Sequence, residues 1–144
     1  MTPDQTRLVR SSFKLLEPIA PQAAALFYDN LFTADPSLRA LFHGNMAQQG
    51  ARLMTMISSA VHLLDQPDTL MPVLHKLGAR HVNYGVHEKD YATVGAALIK
   101  TLQQGLGQAF TSEVHDAWVT LYGTVSHAMM EAGRSAAASS AQAA

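Results

Sequence analysis

The sequence predicts an all-α fold, and three observations support this. Apolar residues recur every three or four positions in most segments, for example at Val94, Leu98 and Leu102, which is the spacing of one helix face. A capping residue followed by proline, a signal for the start of a helix, occurs at Thr2-Pro3 and again at Asp35-Pro36. No segment alternates apolar and polar residues as a half-buried strand would, and no internal repeat is present.

The first third of the chain predicts two helices and a short turn. Thr2 to Gln5 combines a hydroxyl cap, a proline and a capping-box glutamine, and it begins a helix that we expect to end near Ile19. A second helix is predicted from Pro21 to Phe32. Asp35-Pro36 then begins a turn that ends near Phe42, after which His43-Gly44-Asn45 breaks the pattern.

The remaining segments predict four further helical stretches. The third helix runs from about Ala47 to Leu64, and a broken helix follows from around Pro72 to His81. A loop through Gly85 leads to a helix that includes Tyr91 to Leu102. Thr111 caps the last helix. We expect one domain over residues 1–133 and a disordered Ala/Ser-rich tail over residues 134–144.

Composition excludes several classes of function. The net charge of −1 gives no basic field for nucleic acid or for an anionic membrane surface. The absence of cysteine removes disulfides, thiolate nucleophiles and cysteine-ligated metals. No apolar run approaches the ~20 residues that span a bilayer. The first ten residues, MTPDQTRLVR, lack an apolar signal core, so we expect a cytoplasmic protein.

Among the seven histidines, His81 is the candidate metal ligand. It closes an apolar face with Val73, Leu74 and Leu77, so it is either a buried core histidine or the axial ligand of a large apolar cofactor. His87 reads as a cap or surface residue, and a zinc site shared by several histidines has little support. Four others lie on polar helix sides and are expected to be solvated: His62, His75, His115 and His127.

Several segments, taken in order, resemble the globin family, in particular bacterial single-domain globins and the haem domain of flavohaemoglobins. The matching segments are LFYDNLF with Tyr28, DPSLRALF with Phe42, QGARL with Gln49 and Leu53, ARH with His81, and DYATVGAAL with Tyr91. The stretch LGQAFTSEVHDAWVTLYGTVSHAMM resembles the carboxy-terminal half of neuroglobins. The resemblance covers residues 3 to about 131 and implies a globin fold, a 3-on-3 helical sandwich around haem.

The resemblance also implies a site. His81 would be the proximal ligand of the iron in haem b, and Tyr28, Gln49 and Leu53 would face the ligand on the distal side. Side chains expected to contact the haem are Phe42, Leu53, Leu77, His81 and Tyr91. The implied ligands are O2, NO and CO.

The implied function is tight, reversible oxygen binding and reaction of oxygen with nitric oxide. Tyr91, ten residues after His81, matches a supporting tyrosine of the family, whereas the family's glutamate of the last helix has no match, since Glu131 falls two positions early. No Gly-rich dinucleotide fingerprint is present, so electrons are expected from a separate reductase. The expected assembly is a monomer or a weak dimer.

Two other interpretations stay open at this point. In the first, a side chain fills the sixth iron position, as in a hexacoordinate globin that acts as a redox or gas sensor. Gln49 stands where the second histidine would be, and His43 is the nearest substitute. In the second, the chain is a globin-fold sensor or partner module with an empty pocket.

Overall fold

The fold was described from a computed structural model of the chain, which covers the backbone of residues 1–143 and all side chains of these residues except 83 and 137–143. Six α-helices, numbered α1 to α6, and three short 3-10 turns make up the described part. The helices are α1 Pro3–Leu16, α2 Ala20–Ala34, α3 Met46–His62, α4 Pro67–Asn83, α5 Glu88–Leu106 and α6 Ser112–Ala143. The 3-10 turns are Glu17–Ile19, Pro36–Leu41 and Gly107–Ala109.

The predicted helix-start signals are present as hydrogen bonds. Thr2 and Gln5 form a reciprocal capping box at the start of α1. The Asp35 carboxylate accepts from the backbone N–H of Ser37, and the Thr111 hydroxyl accepts from Val114 at the start of α6. The all-α class is therefore confirmed, and no strand occurs within residues 1–143.

The prediction of a helix broken at Pro72 is wrong. α4 begins at Pro67, five residues earlier than proposed, and continues without interruption through Pro72. A proline there removes one interior hydrogen bond. Packing offsets that loss, because Leu70 and Leu74 are buried against Ala128 and Met129 of α6. Val73, expected on the buried face, is instead 38% exposed.

α4 and α6 pack against each other with a close approach of their backbones. A Cβ added at Gly78 would lie 2.2 Å from the carbonyl oxygen of Met129, so only glycine fits this crossing. Gly50 of α3 has the same role against α2, where an added Cβ would lie 2.9 Å from that of Ala24. α3 packs on α2 and α1, while α4 packs on α6.

The core consists of three apolar clusters. The first surrounds Trp118, whose indole N–H donates to the Ser12 hydroxyl at 2.8 Å. The second lies around Tyr28 between α2 and α5, and the third lies between α4 and α6. The backbone of α6 is helical to Ala143, but the side chains from 137 onward and all of residue 144 lie outside the described residues. Disorder of residues 134–144 therefore stays a prediction.

Within the described residues, no helix has the length and apolar character required to cross a membrane.

Candidate functional site

His81 lies in the last turn of α4 and is held in one orientation. Its Nδ1 lies 2.7 Å from the carbonyl oxygen of Leu77, one turn earlier in the same helix. A carbonyl only accepts, so Nδ1 carries the hydrogen and Nε2 keeps its lone pair. Within the described residues, Nε2 makes no hydrogen bond. Burial lowers the pKa of His81 below its ordinary value, which favours the neutral, metal-binding form.

Three predicted or neighbouring side chains surround His81. The Tyr91 ring lies 6.4 Å from the imidazole between centroids, and the more exposed Tyr84 ring lies at 5.8 Å. Leu77 and Tyr91 both pack against the third cluster. The Tyr122 hydroxyl donates to the backbone carbonyl of Tyr91 at 2.6 Å and so fixes the first turn of α5 beside His81.

Tyr28 has a buried ring whose hydroxyl has no partner in the described part of the chain. The side chain is 7% exposed and is enclosed edge-on by Phe27 and Phe42, with centroids at 5.2 Å in both cases, and by the stacked ring of Phe32. Burial raises the pKa of Tyr28, so the hydroxyl stays protonated and can donate. No buried side-chain nitrogen or oxygen lacks a partner among the described residues, so the hydroxyl oxygen at the tip of this buried ring is accessible from outside and is a donor free for a ligand.

Gln49 and Leu53 follow one another along α3 and are both half-buried, whereas Gln48 is exposed. Leu53 and Phe42 pack against the second cluster around Tyr28. The side-chain amide of Gln49, however, donates to the backbone carbonyl of His43 at 2.9 Å. The structure thus brings Tyr28, Phe42 and Leu53 together and places Gln49 at the edge of this group, bonded to the preceding loop.

The remaining histidines lie where the sequence placed them. His62, His75, His115 and His127 are exposed, and His87 is the N-cap of α5, with its backbone N–H donating to Asp90 at 2.9 Å. His43 is exposed as well. No group of three or more potential metal ligands occurs among the described residues.

Glu131 contacts a histidine of its own helix. It lies 3.8 Å from His127 of the same helix and lines a shallow groove of about 460 Å³ that also contains His75. One turn before Tyr91 in α5, the carboxylate of Glu88 is paired with Arg134 of α6, whose Nη2 lies 3.1 Å from Oε2. Sequence analysis missed this pair. The i, i+3 relation of Glu88 to Tyr91 could have indicated Glu88 from the sequence. Its partner Arg134 lies 46 positions later, and no local sequence pattern predicts a contact over that separation.

The described residues fit a large apolar cofactor with one axial nitrogen. The second and third clusters share no member in the described part of the chain. Phe42 and Leu53 pack against the second cluster, and Leu77 and Tyr91 pack against the third. His81 offers a neutral ring nitrogen with no competing partner. A single imidazole with an apolar surround is the donor set that haem requires.

Comparison with known proteins defines the class. The family model for globins matches residues 25–129, most of the chain, and the chain belongs to the globin family. Membership of this family supports a haem cofactor.

Particular relatives divide into two kinds. A flavohemoprotein of Bordetella parapertussis is 31% identical over 126 residues, which is 85% of this chain and 31% of that protein. A neuroglobin of Dissostichus mawsoni is 31% identical over 138 residues, which is 86% of this chain and 87% of that protein. This chain therefore spans about a third of the flavohemoprotein.

The fold is also that of a solved structure from Rhodothermus marinus, an engineered carbene transferase described as a candidate nitric oxide dioxygenase. Its TM-score is 0.88 with 23% identity, and the match covers 98% of this chain and 99% of that one. At this identity the likeness concerns the fold alone.

Proposed function

We propose that this globin binds haem b through His81, binds oxygen reversibly and tightly beneath Tyr28, and reacts with nitric oxide as a detoxifying activity. Bound haem would supply an iron atom at which oxygen and nitric oxide combine to nitrate, after which one electron restores ferrous iron. CO would bind as a third ligand. The observation that carries the proposal is the Tyr28 hydroxyl, a donor in a buried aromatic surround with no partner in the described part of the chain.

The proximal role falls to His81 because its tautomer is fixed. The Nδ1–H group donates to Leu77, so Nε2 is the nitrogen that would hold iron. The acceptor is a neutral carbonyl, and no carboxylate is bonded to this imidazole in the described part of the chain. His81 would therefore act as a neutral ligand, which suits reversible binding.

The distal role falls to Tyr28. Oxygen held by ferrous iron carries partial negative charge, so a hydrogen bond from the hydroxyl would be charge-assisted and contribute about 1.5–3 kcal/mol. This corresponds to a dissociation rate lower by about 10- to 150-fold. Phe42 and Leu53 would pack against the porphyrin beside Tyr28 and exclude water, while Leu77 and Tyr91 would do so on the proximal side.

Reaction with nitric oxide is supported by the flavohemoprotein relationship, at 31% identity over 85% of this chain. The flavohemoprotein relatives imply a reductase partner, and we propose that such a reductase supplies the electron. The sixth position is proposed to be open, because His43 is exposed and its carbonyl is bonded to Gln49. A cytoplasmic location and a monomeric or weakly dimeric state complete the proposal.

The first experiment is the visible absorption spectrum of the full chain supplied with haem, in ferric, dithionite-reduced and CO-bound forms. We expect a five-coordinate reduced spectrum that shifts with CO. His81→Ala should lose or alter this spectrum, whereas His75→Ala, an exposed histidine of the same helix, should leave it unchanged. Failure of the wild-type chain to take up haem, or equal spectra for both variants, would overturn the assignment.

The nitric oxide reaction needs its own test. The reduced, oxygenated protein is mixed with nitric oxide in the presence of a generic flavin reductase, and nitrate is measured against free haem at the same concentration. Multiple turnovers with nitrate in stoichiometric amount would support detoxification. Nitrate no higher than the free-haem background would leave oxygen binding as the function.

A further inference from the structure

Gln49 forms a contact that a ligand-facing role does not require. Its side-chain amide donates to the backbone carbonyl of His43, six residues earlier, at 2.9 Å. The bond joins the first turn of α3 to the loop that follows Phe42. The same loop also supplies the cap of α3, since the Asn45 side chain accepts from the backbone N–H of Gln48. The carbonyl of His43 is thereby fixed relative to α3.

The side chain of His43 is directed outward by the geometry of the preceding residue. Phe42 has extended backbone angles, φ −109° and ψ 118°, so the side chains of residues 42 and 43 point to opposite sides. Phe42 turns inward onto Tyr28, with ring centroids 5.2 Å apart. His43 is correspondingly exposed, although it is the immediate neighbour of a residue that packs on the distal tyrosine.

The loop contains one position at which it can turn. Gly44 has φ +86°, a conformation that favours glycine, and a Cβ added there would meet nothing within 4 Å. Rotation about this glycine meets little steric resistance. Turning the imidazole of His43 inward requires rotation of the peptide that carries its carbonyl, and this rotation would break the bond to Gln49.

We propose that Gln49 is a latch that holds the 43–45 loop outward and thereby prevents His43 from occupying the sixth iron position. Gln49 is thus a positioning residue for ligand access. This inference rests on the proposed haem function. In this proposal the 43–45 loop has two positions, one that leaves the sixth iron position open and one in which His43 occupies it. The Gln49–His43 hydrogen bond stabilises the open position.

The size of the effect follows from the single bond involved. Loss of one neutral hydrogen bond of this kind changes the ratio of inward to outward loop by about two- to tenfold. Removal of the latch should therefore raise the ratio of six- to five-coordinate reduced protein by that factor. The rate of CO binding should fall in proportion to the remaining five-coordinate fraction, because CO would have to wait for His43 to leave.

The test uses the full chain loaded with haem and reads coordination from the reduced absorption spectrum and from CO-binding kinetics. Gln49→Leu removes the donor. Gln48→Leu is the matched control, since Gln48 is the exposed neighbour and only its backbone takes part in capping. The double variant Gln49→Leu/His43→Ala shows whether His43 is the side chain that enters.

The latch predicts a rise in the six-coordinate fraction for Gln49→Leu, no change for Gln48→Leu, and return to five-coordination in the double variant. A five-coordinate Gln49→Leu protein with wild-type CO kinetics would overturn it. So would six-coordination that persists without His43. If Gln49→Leu does not fold, Gln49→Ala is read by the same criteria. Absence of haem uptake by the wild-type chain would instead refute the proposed function itself.

Discussion

Replacement of Tyr28 by phenylalanine separates the ligand-binding role of this residue from its structural role. The ring is enclosed by the three aromatic neighbours Phe27, Phe32 and Phe42 and is 7% exposed, and phenylalanine keeps all of these ring contacts. The lost atom is the hydroxyl oxygen, which has no hydrogen-bond partner among the described residues. The substitution should therefore leave the free energy of unfolding nearly unchanged.

Oxygen dissociation should change strongly in the same variant. Loss of a charge-assisted donor removes about 1.5–3 kcal/mol from the bound state, so oxygen should dissociate about 10- to 150-fold faster from Tyr28→Phe. Bound CO carries little negative charge, so its dissociation should change far less. A large effect on oxygen with a small effect on CO distinguishes loss of a hydrogen bond from loss of steric packing.

The assay is stopped-flow replacement of oxygen by CO, with urea denaturation of the same samples. Tyr84→Phe is the control, because Tyr84 is 58% exposed and lies beside His81 on the other side of the site. The control should match the wild type in both measurements. An oxygen dissociation rate within threefold of wild type would refute the donor role. A loss of stability in urea would show that the hydroxyl has a structural partner.

Two further predictions concern the α4–α6 interface and the ion pair near it. Gly78→Ala should destabilise the protein by about 1–3 kcal/mol, because its Cβ would meet the backbone of Met129 at 2.2 Å. Gly123→Ala is the control: open space surrounds this glycine, so the substitution should stabilise the protein by about 0.5–1 kcal/mol. Equal changes in the free energy of unfolding for the two variants, measured by urea denaturation, would contradict this prediction. Arg134 lowers the pKa of Glu88, so Arg134→Gln should lower the melting temperature slightly at neutral pH. A carboxylate with a lowered pKa stabilises the fold at pH values above its ordinary pKa of 4.5. The difference in melting temperature between Arg134→Gln and the wild type should therefore vanish as the pH falls through the lowered pKa. A difference that persists at that pH would refute the pairing.

The helices could be predicted because their signals are local. Capping residues and apolar periodicity act within one or two turns, and the starts at Thr2, Asp35 and Thr111 are all present as hydrogen bonds. The prediction at Pro72 was wrong because the outcome depended on α6, more than 50 residues away along the chain, against which α4 packs through Leu70 and Leu74. A local rule for proline contains no information about such a partner.

The sequence indicated part of the candidate site, and the difference between local patterns and contacts with distant elements again explains which part. The family resemblance named Tyr28, Phe42, Leu53 and His81, and the first three lie together while His81 stands at the end of α4 with its tautomer fixed. Sequence alone could not show that the Gln49 amide is bonded to the loop, since spacing along a helix does not define a side-chain partner. Contacts between distant elements, like that bond, are decided by packing.

The charge distribution on the proximal side bears on the kind of chemistry the site can support. Glu131, which the sequence placed on a different face from the family's glutamate, lies beside His127. The carboxylate of Glu88, one turn before Tyr91 in α5, is matched by the Arg134 guanidinium, and both side chains are more than half exposed. The buried carboxylate of Asp90, next to Tyr91 in sequence, accepts from the backbone N–H of His87. An exposed, paired carboxylate exerts little field on a neighbouring ring. The imidazole of His81 donates its hydrogen bond to the neutral carbonyl of Leu77. We expect a proximal imidazole of this kind to favour reversible ligand binding over peroxidase-like chemistry, as the proposed donor role of Tyr28 on the distal side requires.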